Sequence, residues 1–231
     1  MTVDLRLGDY RTVLADVTEV DAVICDPPYS ARTHSGQCAS PISSGTVGYR
    51  HIGPDDVRVF VEMWAPLNRG WFAVWTDTEL APHFQSAFRD ASLYAFAPVP
   101  CVMRGMSVRI SGDGPSSWCV WLVVARPKRL VKWGTLPGAY IGNPFDAGQN
   151  TCTAGRRSSP INGSKPVWLA SAIVRDYSRP GDLICDPFAG GGTTLLAAQI
   201  EGRRAIGAEI DPDTHRKAAE RLARGYTPAM F

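Results

Sequence analysis

Residues 182–194 read DLICDPFAGGGTT, and this stretch decides the fold. It begins as a short apolar run typical of a buried strand, continues into three glycines, and opens a helical pattern at Thr193. Glycines 190–192 lack Cβ atoms, so the backbone can turn sharply and approach a ligand closely. The following apolar run ends near Glu209, about 20 residues after the glycines, where an acid can accept hydrogen bonds from ribose hydroxyls. A strand, glycine turn, helix and acid in this order predict an α/β site for a nucleotide-like ligand.

The same alternation of strand and helix patterns extends along the chain. β-branched and aromatic apolar runs predict seven strands at residues 3–7, 21–25, 71–75, 94–103, 118–125, 182–185 and 204–210. Helical periodicity predicts helices at residues 55–67, 79–90, 167–177, 193–201 and 213–224. The alternation favours one α/β domain with a doubly wound, mostly parallel sheet. Two of the strand runs are joined by a Gly- and Ser-containing stretch without a helix, which predicts a terminal antiparallel hairpin.

A second stretch repeats the end of the first. Residues 21–29 read DAVICDPPY, so two apolar runs end in the same Cys-Asp-Pro sequence. In an open α/β sheet, ligands bind beyond the carboxyl ends of strands where the strand order reverses. If the two strands are neighbours at that point, Asp26 and Asp186 face one crevice.

The Asp26-Pro27-Pro28-Tyr29 sequence suits the handling of an exocyclic amine. The two prolines stiffen the exit from the strand and remove two backbone donors, which leaves carbonyl acceptors that can point into a pocket. Asp26 supplies a further acceptor. Acceptors that hydrogen-bond to the amine N–H groups favour a pyramidal amine nitrogen, whose lone pair is free to attack. Tyr29 offers an aromatic face on which an extruded base can stack. The tetrapeptide therefore predicts a base-modifying site.

Composition excludes several other classes of protein. The 231 residues are 45% hydrophobic and 20% charged, which is ordinary for a globular domain and unlike a disordered chain. There is no apolar run of 18 residues and no secretory or mitochondrial targeting pattern, so a cytoplasmic location is expected. The six cysteines and four histidines have no metal-ligand spacing, so no metal site is expected.

Positive charge is concentrated in one third of the chain. Residues 101–165 contain nine basic and two acidic residues, a net charge of +7, whereas the remainder has a net charge of −5. Such a region is either a solvated basic face or a binding site for a polyanion. Two irregular segments, residues 30–54 and 126–164, have the length of functional loops.

Together these motifs resemble the S-adenosylmethionine-dependent DNA methyltransferases that modify amino groups, at N6 of adenine or N4 of cytosine. This family has a Rossmann-like fold. DPFAGGGTT is similar to its methionine-binding loop, GAEID at residues 207–211 to its ribose-binding acid region, and Gly8-Asp9 to its adenine-contacting segment. Lys165-Pro166 is similar to the segment that precedes the first sheet strand. DPPY precedes the glycine loop here, as in the permuted subgroup called β.

The resemblance implies roles for individual residues. The catalytic residues would be Asp26, Pro27, Pro28 and Tyr29. The cofactor-binding residues would be Asp9, Lys165, Asp186, Phe188, Ala189, Gly190, Gly191, Gly192, Thr193 and Glu209. The DNA-binding residues would be Arg104, Arg109, Arg126, Lys128, Arg129, Lys132, Arg156 and Arg157. Residues 126–164 would form a short target-recognition insertion, and residues 30–54 an active-site loop that faces DNA.

The implied activity is transfer of a methyl group from S-adenosylmethionine to N6 of adenine in double-stranded DNA, by base flipping and direct in-line attack. The aspartate that opens DPPY favours adenine, but N4-cytosine methylation remains an alternative. The glycine loop and Glu209 alone would also fit an NAD-dependent oxidoreductase, which leaves DPPY and the basic third unexplained. A third possibility is a DNA-binding module without catalytic activity. A homodimer is a further expectation from the family.

Overall fold

This computed structural model describes residues 2–33, 50–103, 118–142 and 164–225. These residues form one β-sheet with helices on both of its faces. The strands are β1 (Val3–Leu7), β2 (Val20–Cys25), β3 (Asn68–Thr76), β4 (Tyr94–Ala95), β5 (Val99–Met103), β6 (Cys119–Arg126), β7 (Tyr140–Gly142), β8 (Leu183–Asp186) and β9 (Arg204–Glu209). The helices are α1 (Tyr10–Val13), α2 (Pro54–Trp64), α3 (Ala81–Asp90), α4 (Val167–Tyr177), α5 (Thr193–Ile200) and α6 (Pro212–Arg224).

The strand order brings two distant parts of the sequence together. The order is β1-β9-β8-β2-β3-β6-β5-β7, with β4 also paired to β6. Strands β1, β9, β8, β2 and β3 are mutually parallel, and Val23 of β2 lies beside Cys185 of β8. The two Cys-Asp-Pro strand ends are therefore neighbours at one edge of the sheet, as the sequence analysis requires.

The prediction of seven strands was wrong, because the described residues contain nine strands in a mixed sheet. The predicted strand at residues 94–103 is two strands, β4 and β5, separated near Pro98, which has no N–H to donate to a ladder. The short β7 lies inside the segment expected to be irregular. An antiparallel β5–β6 pair is present as expected, but it is not terminal, since β7 pairs with the outer side of β5.

The predicted helices agree closely with the structure. The 167–177 helix is α4 with the same bounds, and the other four long helices differ from prediction by one to three residues at their ends. Several begin at recognisable signals: the Asp211 side chain accepts a hydrogen bond from the Thr214 N–H at the start of α6, and Pro54 opens α2.

Two hydrophobic cores hold the helices against the sheet. On one face, Phe60 and Trp64 of α2 and Phe84 of α3 pack against β2, β3 and β6. On the other face, Ile173 of α4 and Leu195 of α5 pack against the alternate residues of the same strands. Both faces are covered, so the central strands are apolar on both sides, as expected of a doubly wound sheet. None of the helices in these ranges is long and apolar enough to cross a membrane.

Candidate active site

Polar side chains follow five strands at the same edge of the sheet. Asp26 comes directly after β2, Asp77 directly after β3, Asp186 and Glu209 end β8 and β9, and Asp9 lies two residues after β1. Carboxyl ends of parallel strands meet at one edge, which is where open α/β sheets bind ligands. The strand order therefore gathers the four acids that the sequence singled out, Asp9, Asp26, Asp186 and Glu209, together with Asp77.

A cleft of about 400 Å³ opens at this edge. Its wall includes most of the predicted site residues: Asp9, Asp26, Pro27, Pro28, Lys165, Asp186, Phe188, Ala189, Gly190, Gly191, Thr193 and Glu209. Gly192 is not in the wall; it is the N-cap residue of α5, and a Cβ there would lie 3.4 Å from side-chain atoms of Ala218 and Leu222 in α6. Tyr29 is not in the wall either, although its ring centroid lies 5.0 Å from the Lys165 Nζ. The Asp-Pro-Pro part of DPPY and the glycine loop thus border one cavity from two sides.

The glycine turn has the backbone conformation that its sequence predicts. Gly190 and Gly192 have positive φ angles of 50° and 71°, a region that other residues rarely adopt. The Gly192 N–H donates to the Ala189 carbonyl at 2.7 Å, which closes the turn before α5. Gly207 of β9 lies so close to the end of β8 that a Cβ at this position would be 2.9 Å from the Asp186 carbonyl oxygen. The turn is therefore packed directly onto the neighbouring strand ends.

Asp186 is a buried acid at the floor of the cleft, with 2% of its surface exposed. Burial raises the pKa of its carboxyl to about 7, and the charges of Asp26 and Glu209 act in the same direction. Hydrogen bonds from Thr194 and from the Phe188 N–H, at 3.0 Å, oppose this rise. A cationic ligand in the cleft would favour the ionised form.

Glu209 and Asp9 flank the glycine turn. Burial raises the pKa of Glu209, while backbone N–H groups of Asp211, at 2.8 Å, and Gly190 partly offset this. Asp9 caps α1, and its ion pair with Arg11 holds its pKa below the usual value. The glycine side of the cleft is therefore rich in carboxylates, which favours a ligand that carries positive charge and hydroxyl donors.

An aromatic cluster covers the glycine turn. The ring centroids of Tyr10 and Phe188 are 5.0 Å apart, and those of Phe60 and Phe188 are 5.6 Å apart. All three side chains line the cleft. They provide an apolar surface on which a planar heterocycle can lie.

Asp26 and Lys165 form an ion pair across the cleft. The Lys165 Nζ lies 2.5 Å from the Asp26 Oδ2, and Lys165 is only 8% exposed. Lys165 was predicted to bind the cofactor, and it does line the cleft, but its side chain contacts the carboxylate of DPPY. The Asp26 Oδ1 is buried and has no hydrogen-bond partner among the described residues.

Asp77 does not line the cleft but holds the segment that follows DPPY, a contact that the sequence analysis missed. Its Oδ2 accepts hydrogen bonds from the Ser30 N–H at 2.9 Å and from the Thr33 hydroxyl at 2.7 Å. Its Oδ1 accepts from the N–H groups of Glu79 and Leu80, at the start of α3. Burial would raise the pKa of Asp77, but these hydrogen bonds outweigh it and hold the pKa below the usual value. The carboxylate ties the residues after DPPY to the end of β3.

We expect Asp77→Ala to lower the rate of a reaction at the DPPY side of the cleft by about tenfold to a hundredfold, because misplacement of a reacting group by about 1 Å has effects of this size. The affinity for a ligand held by the glycine side should stay within about twofold, since that side of the cleft is unaffected. Single-turnover rates and calorimetry measure the two quantities. Asp90→Ala, which removes an exposed carboxylate at the other end of α3, is the matched control. A folded Asp77→Ala protein with the wild-type rate would contradict this role.

The residues predicted to bind DNA fall into two groups. Arg104, Arg109, Arg156 and Arg157 lie outside the described residues. Arg126 ends the strand β6, which runs antiparallel to β3, and Lys128, Arg129 and Lys132 follow that strand. The β6 residues nearest the cleft are at its start, where Trp121 pairs with Thr76, so Arg126 and the residues after it lie at the opposite edge of the sheet.

The guanidinium of Arg126 packs over aromatic rings at that opposite edge. Its Cζ lies 5.3 Å from the centroid of Tyr94, 5.6 Å from Phe96 and 5.9 Å from Trp71. The structure does not bring this group to the cleft, because about five residues of β3, roughly 17 Å of strand, separate the two edges. Charge counting could not detect this separation, since it reports position in the sequence and not the direction of a strand.

Two sequence comparisons with known proteins match parts of this chain. A family model described as DNA methylase (N6_N4_Mtase) matches residues 120–220, which include the glycine loop but not DPPY. YubD of Escherichia coli (strain K12) is 39% identical over 70 residues, a match that spans 30% of this chain and 30% of that relative's length.

The fold is shared over nearly the whole chain with solved DNA methyltransferases. The structure described as the M1.HpyAVI–SAM complex has a TM-score of 0.73 at 17% identity and covers 96% of this chain and 99% of that chain. PvuII DNA methyltransferase, described as cytosine-N4-specific, has a TM-score of 0.65 at 15% identity and covers 95% of this chain and 86% of that chain. The chain therefore has the fold of DNA methyltransferases, and part of its sequence matches the N6/N4 class of DNA methylases.

Proposed function

We propose that this chain is a DNA methyltransferase that transfers the methyl group of S-adenosylmethionine to the N6 amino group of adenine. One observation carries the proposal: the Asp-Pro-Pro segment and the glycine turn, about 160 residues apart in the sequence, border a single cleft beyond the neighbouring strands β2 and β8. A donor held by one side and an amine held by the other would lie within reach of each other. The order of the two motifs along the chain supports the permuted β arrangement.

The residues of the cleft fit S-adenosylmethionine. Asp186 and Glu209 suit a ligand with positive charge and ribose hydroxyls, and the rings of Phe188 and Tyr10 suit its adenine. When bound, S-adenosylmethionine supplies a methyl group on a sulfonium, and the electrons of the broken C–S bond stay on a neutral thioether. The glycine turn holds the donor, and the closely packed aromatic side chains exclude water from it.

The residues of DPPY act on the amine. The Asp26 carboxylate and the Pro27 carbonyl accept hydrogen bonds from the two amine hydrogens, which leaves the nitrogen lone pair free to attack. Tyr29 offers a stacking surface for the extruded base. Once the nitrogen is methylated, its extra proton passes to the carboxylate that already holds its N–H. No covalent enzyme intermediate is needed, so Cys25, which is buried, has no nucleophilic role.

Mapping of modified bases tests the proposal. The chain is expressed in cells that lack DNA methylation, and methylated bases are mapped across the genome with base-resolved chemistry. We expect 6-methyladenine at a defined site. The shared fold with the cytosine-N4-specific PvuII enzyme favours N4-cytosine as the second candidate, so 4-methylcytosine without 6-methyladenine would correct the target base. No modified base, together with tight NAD binding, would favour an oxidoreductase instead.

DNA should approach from the edge of the sheet that carries the cleft. We therefore expect simultaneous Lys128→Glu, Arg129→Glu and Lys132→Glu to change DNA affinity and methylation less than about threefold, because these side chains are exposed at the opposite edge. The salt dependence of binding should also keep its slope, since no phosphate contact is lost. Gel-shift titrations at several salt concentrations measure both. Arg50→Glu, at the cleft, is the matched charge reversal and should weaken binding more. A loss of tenfold or more in the triple variant would place DNA at the opposite edge.

A further inference from the structure

The Lys165 ammonium is surrounded by a carboxylate and two aromatic side chains on the amine-binding side of the cleft. Its Nζ is 2.5 Å from the Asp26 Oδ2, 5.0 Å from the centroid of the Tyr29 ring and 5.9 Å from the centroid of a Trp75 ring. The side chain is 8% exposed and lies just before α4, 139 residues from its partner. A buried ammonium with these neighbours is held by DPPY and not by the glycine turn.

The two oxygens of Asp26 have different surroundings. Oδ2 accepts from Lys165, whereas Oδ1 is buried and has no partner among the residues that the structure describes. A buried carboxylate oxygen without a donor is costly, so a donor from outside the protein is favoured there. Asp26 lines the cleft, and an exocyclic amine supplies such a donor.

We propose that Lys165 is the positioning residue for Asp26: it fixes Oδ2 and offsets part of the carboxylate charge, so that Oδ1 is presented to the target amine. The inference rests on the proposed function and deepens it, because it moves Lys165 from the cofactor-binding side of the cleft to the amine-binding side. A carboxylate with one oxygen fixed cannot rotate away from the amine, and it needs no reorganisation when the base enters.

The test compares Lys165→Met, which removes the ammonium and keeps the stem, with Lys165→Arg, which keeps the charge. Lys217→Met is the control, since it is the same change at an exposed position of α6 that has no predicted role. Three quantities are measured: S-adenosylmethionine affinity by calorimetry, base extrusion by the fluorescence of 2-aminopurine at the target position, and the single-turnover rate at saturating S-adenosylmethionine.

For Lys165→Met we expect a rate loss of about tenfold to a hundredfold, the range for loss of a charge-assisted hydrogen bond. S-adenosylmethionine affinity should stay within about twofold, and the 2-aminopurine signal should persist because that base has no 6-amino group. Lys165→Arg should recover part of the rate. In an Asp26→Asn background, Lys165→Met should cost less than about threefold, since its effect passes through the carboxylate.

A wild-type rate in Lys165→Met would overturn the inference. So would a loss of S-adenosylmethionine affinity that leaves the saturated rate unchanged, because Lys165 would then be a cofactor ligand. If Lys165→Met does not fold, Lys165→Gln, which removes the charge, decides: a reduced rate at unchanged S-adenosylmethionine affinity supports the role, and the wild-type rate refutes it. Failure of the proposed function is distinct, because the wild-type protein would then methylate no DNA.

Discussion

Replacement of Asp26 by alanine should lower the rate of methyl transfer by about a thousandfold or more, within the range seen for groups that act directly on a reacting proton or amine. The amine would lose its carboxylate acceptor, whose Oδ1 is buried and has no hydrogen-bond partner among the described residues. S-adenosylmethionine affinity should change only a fewfold, because the glycine turn is intact. Single-turnover methylation and calorimetry on the same preparation measure the two effects.

Asp26→Ala has a second expected effect, on stability. It leaves the Lys165 ammonium buried without its carboxylate, and removal of one partner of a buried ion pair costs about 3–5 kcal/mol. The matched control is the double variant Asp26→Ala/Lys165→Met, which removes both charges. We expect it to recover much of the lost free energy of unfolding and none of the activity. If Asp26→Ala retains the wild-type rate, DPPY does not hold the amine.

Affinity for S-adenosylmethionine should depend strongly on pH. Burial holds the pKa of Asp186 at about 7, so below pH 7 much of the free protein carries this carboxyl in its neutral form. A cationic ligand favours the ionised form, and binding must then release a proton. We expect affinity to rise by up to about tenfold per pH unit from pH 6 towards 7 and to level off above pH 8. Calorimetry in two buffers with different ionisation enthalpies counts the released protons.

Asp186→Asn tests the cause of this dependence. The amide cannot ionise, so the variant should bind S-adenosylmethionine with little variation between pH 6 and 8, and about a hundredfold more weakly than the wild type at pH 8. A wild-type protein whose affinity is flat over this range would show that the carboxyl does not change its charge on binding.

The raised pKa of Asp186 also affects the stability of the free protein. The native state keeps the proton to a higher pH than the unfolded state does, so the contribution of this group to the free energy of unfolding falls as the pH rises from about 4 to 7.

Much of the fold followed from local sequence patterns. The two Cys-Asp-Pro strand ends predicted neighbouring strands and a shared crevice, and β2 and β8 are neighbours. The glycine run predicted a tight turn before a helix, and Gly190 and Gly192 adopt the positive φ angles that such a turn requires. These features are local or repeat a recognisable motif, so a single sequence is enough to predict them.

Features that depend on long-range pairing could not be predicted in the same way. The Ser30 and Thr33 partners of Asp77 are more than 40 residues away in the sequence, and only its position directly after a predicted strand resembled that of Asp26. Strand β7 is three residues long and has no flanking pattern of its own. The ion pair of Lys165 joins segments 139 residues apart, so the sequence could not show which side of the cleft it serves.

The adjacency of β2 and β8 has a consequence for how the activity could be divided. DPPY belongs to the first 142 residues of the chain, and the glycine turn belongs to the part that begins at Ser164. If the chain were cut between these positions, one polypeptide would carry DPPY and the other the glycine turn. The interface between the two polypeptides would include the apolar pair of Val23 and Cys185. Methylation would then report reassembly of the two pieces, since neither piece brings donor and acceptor together alone.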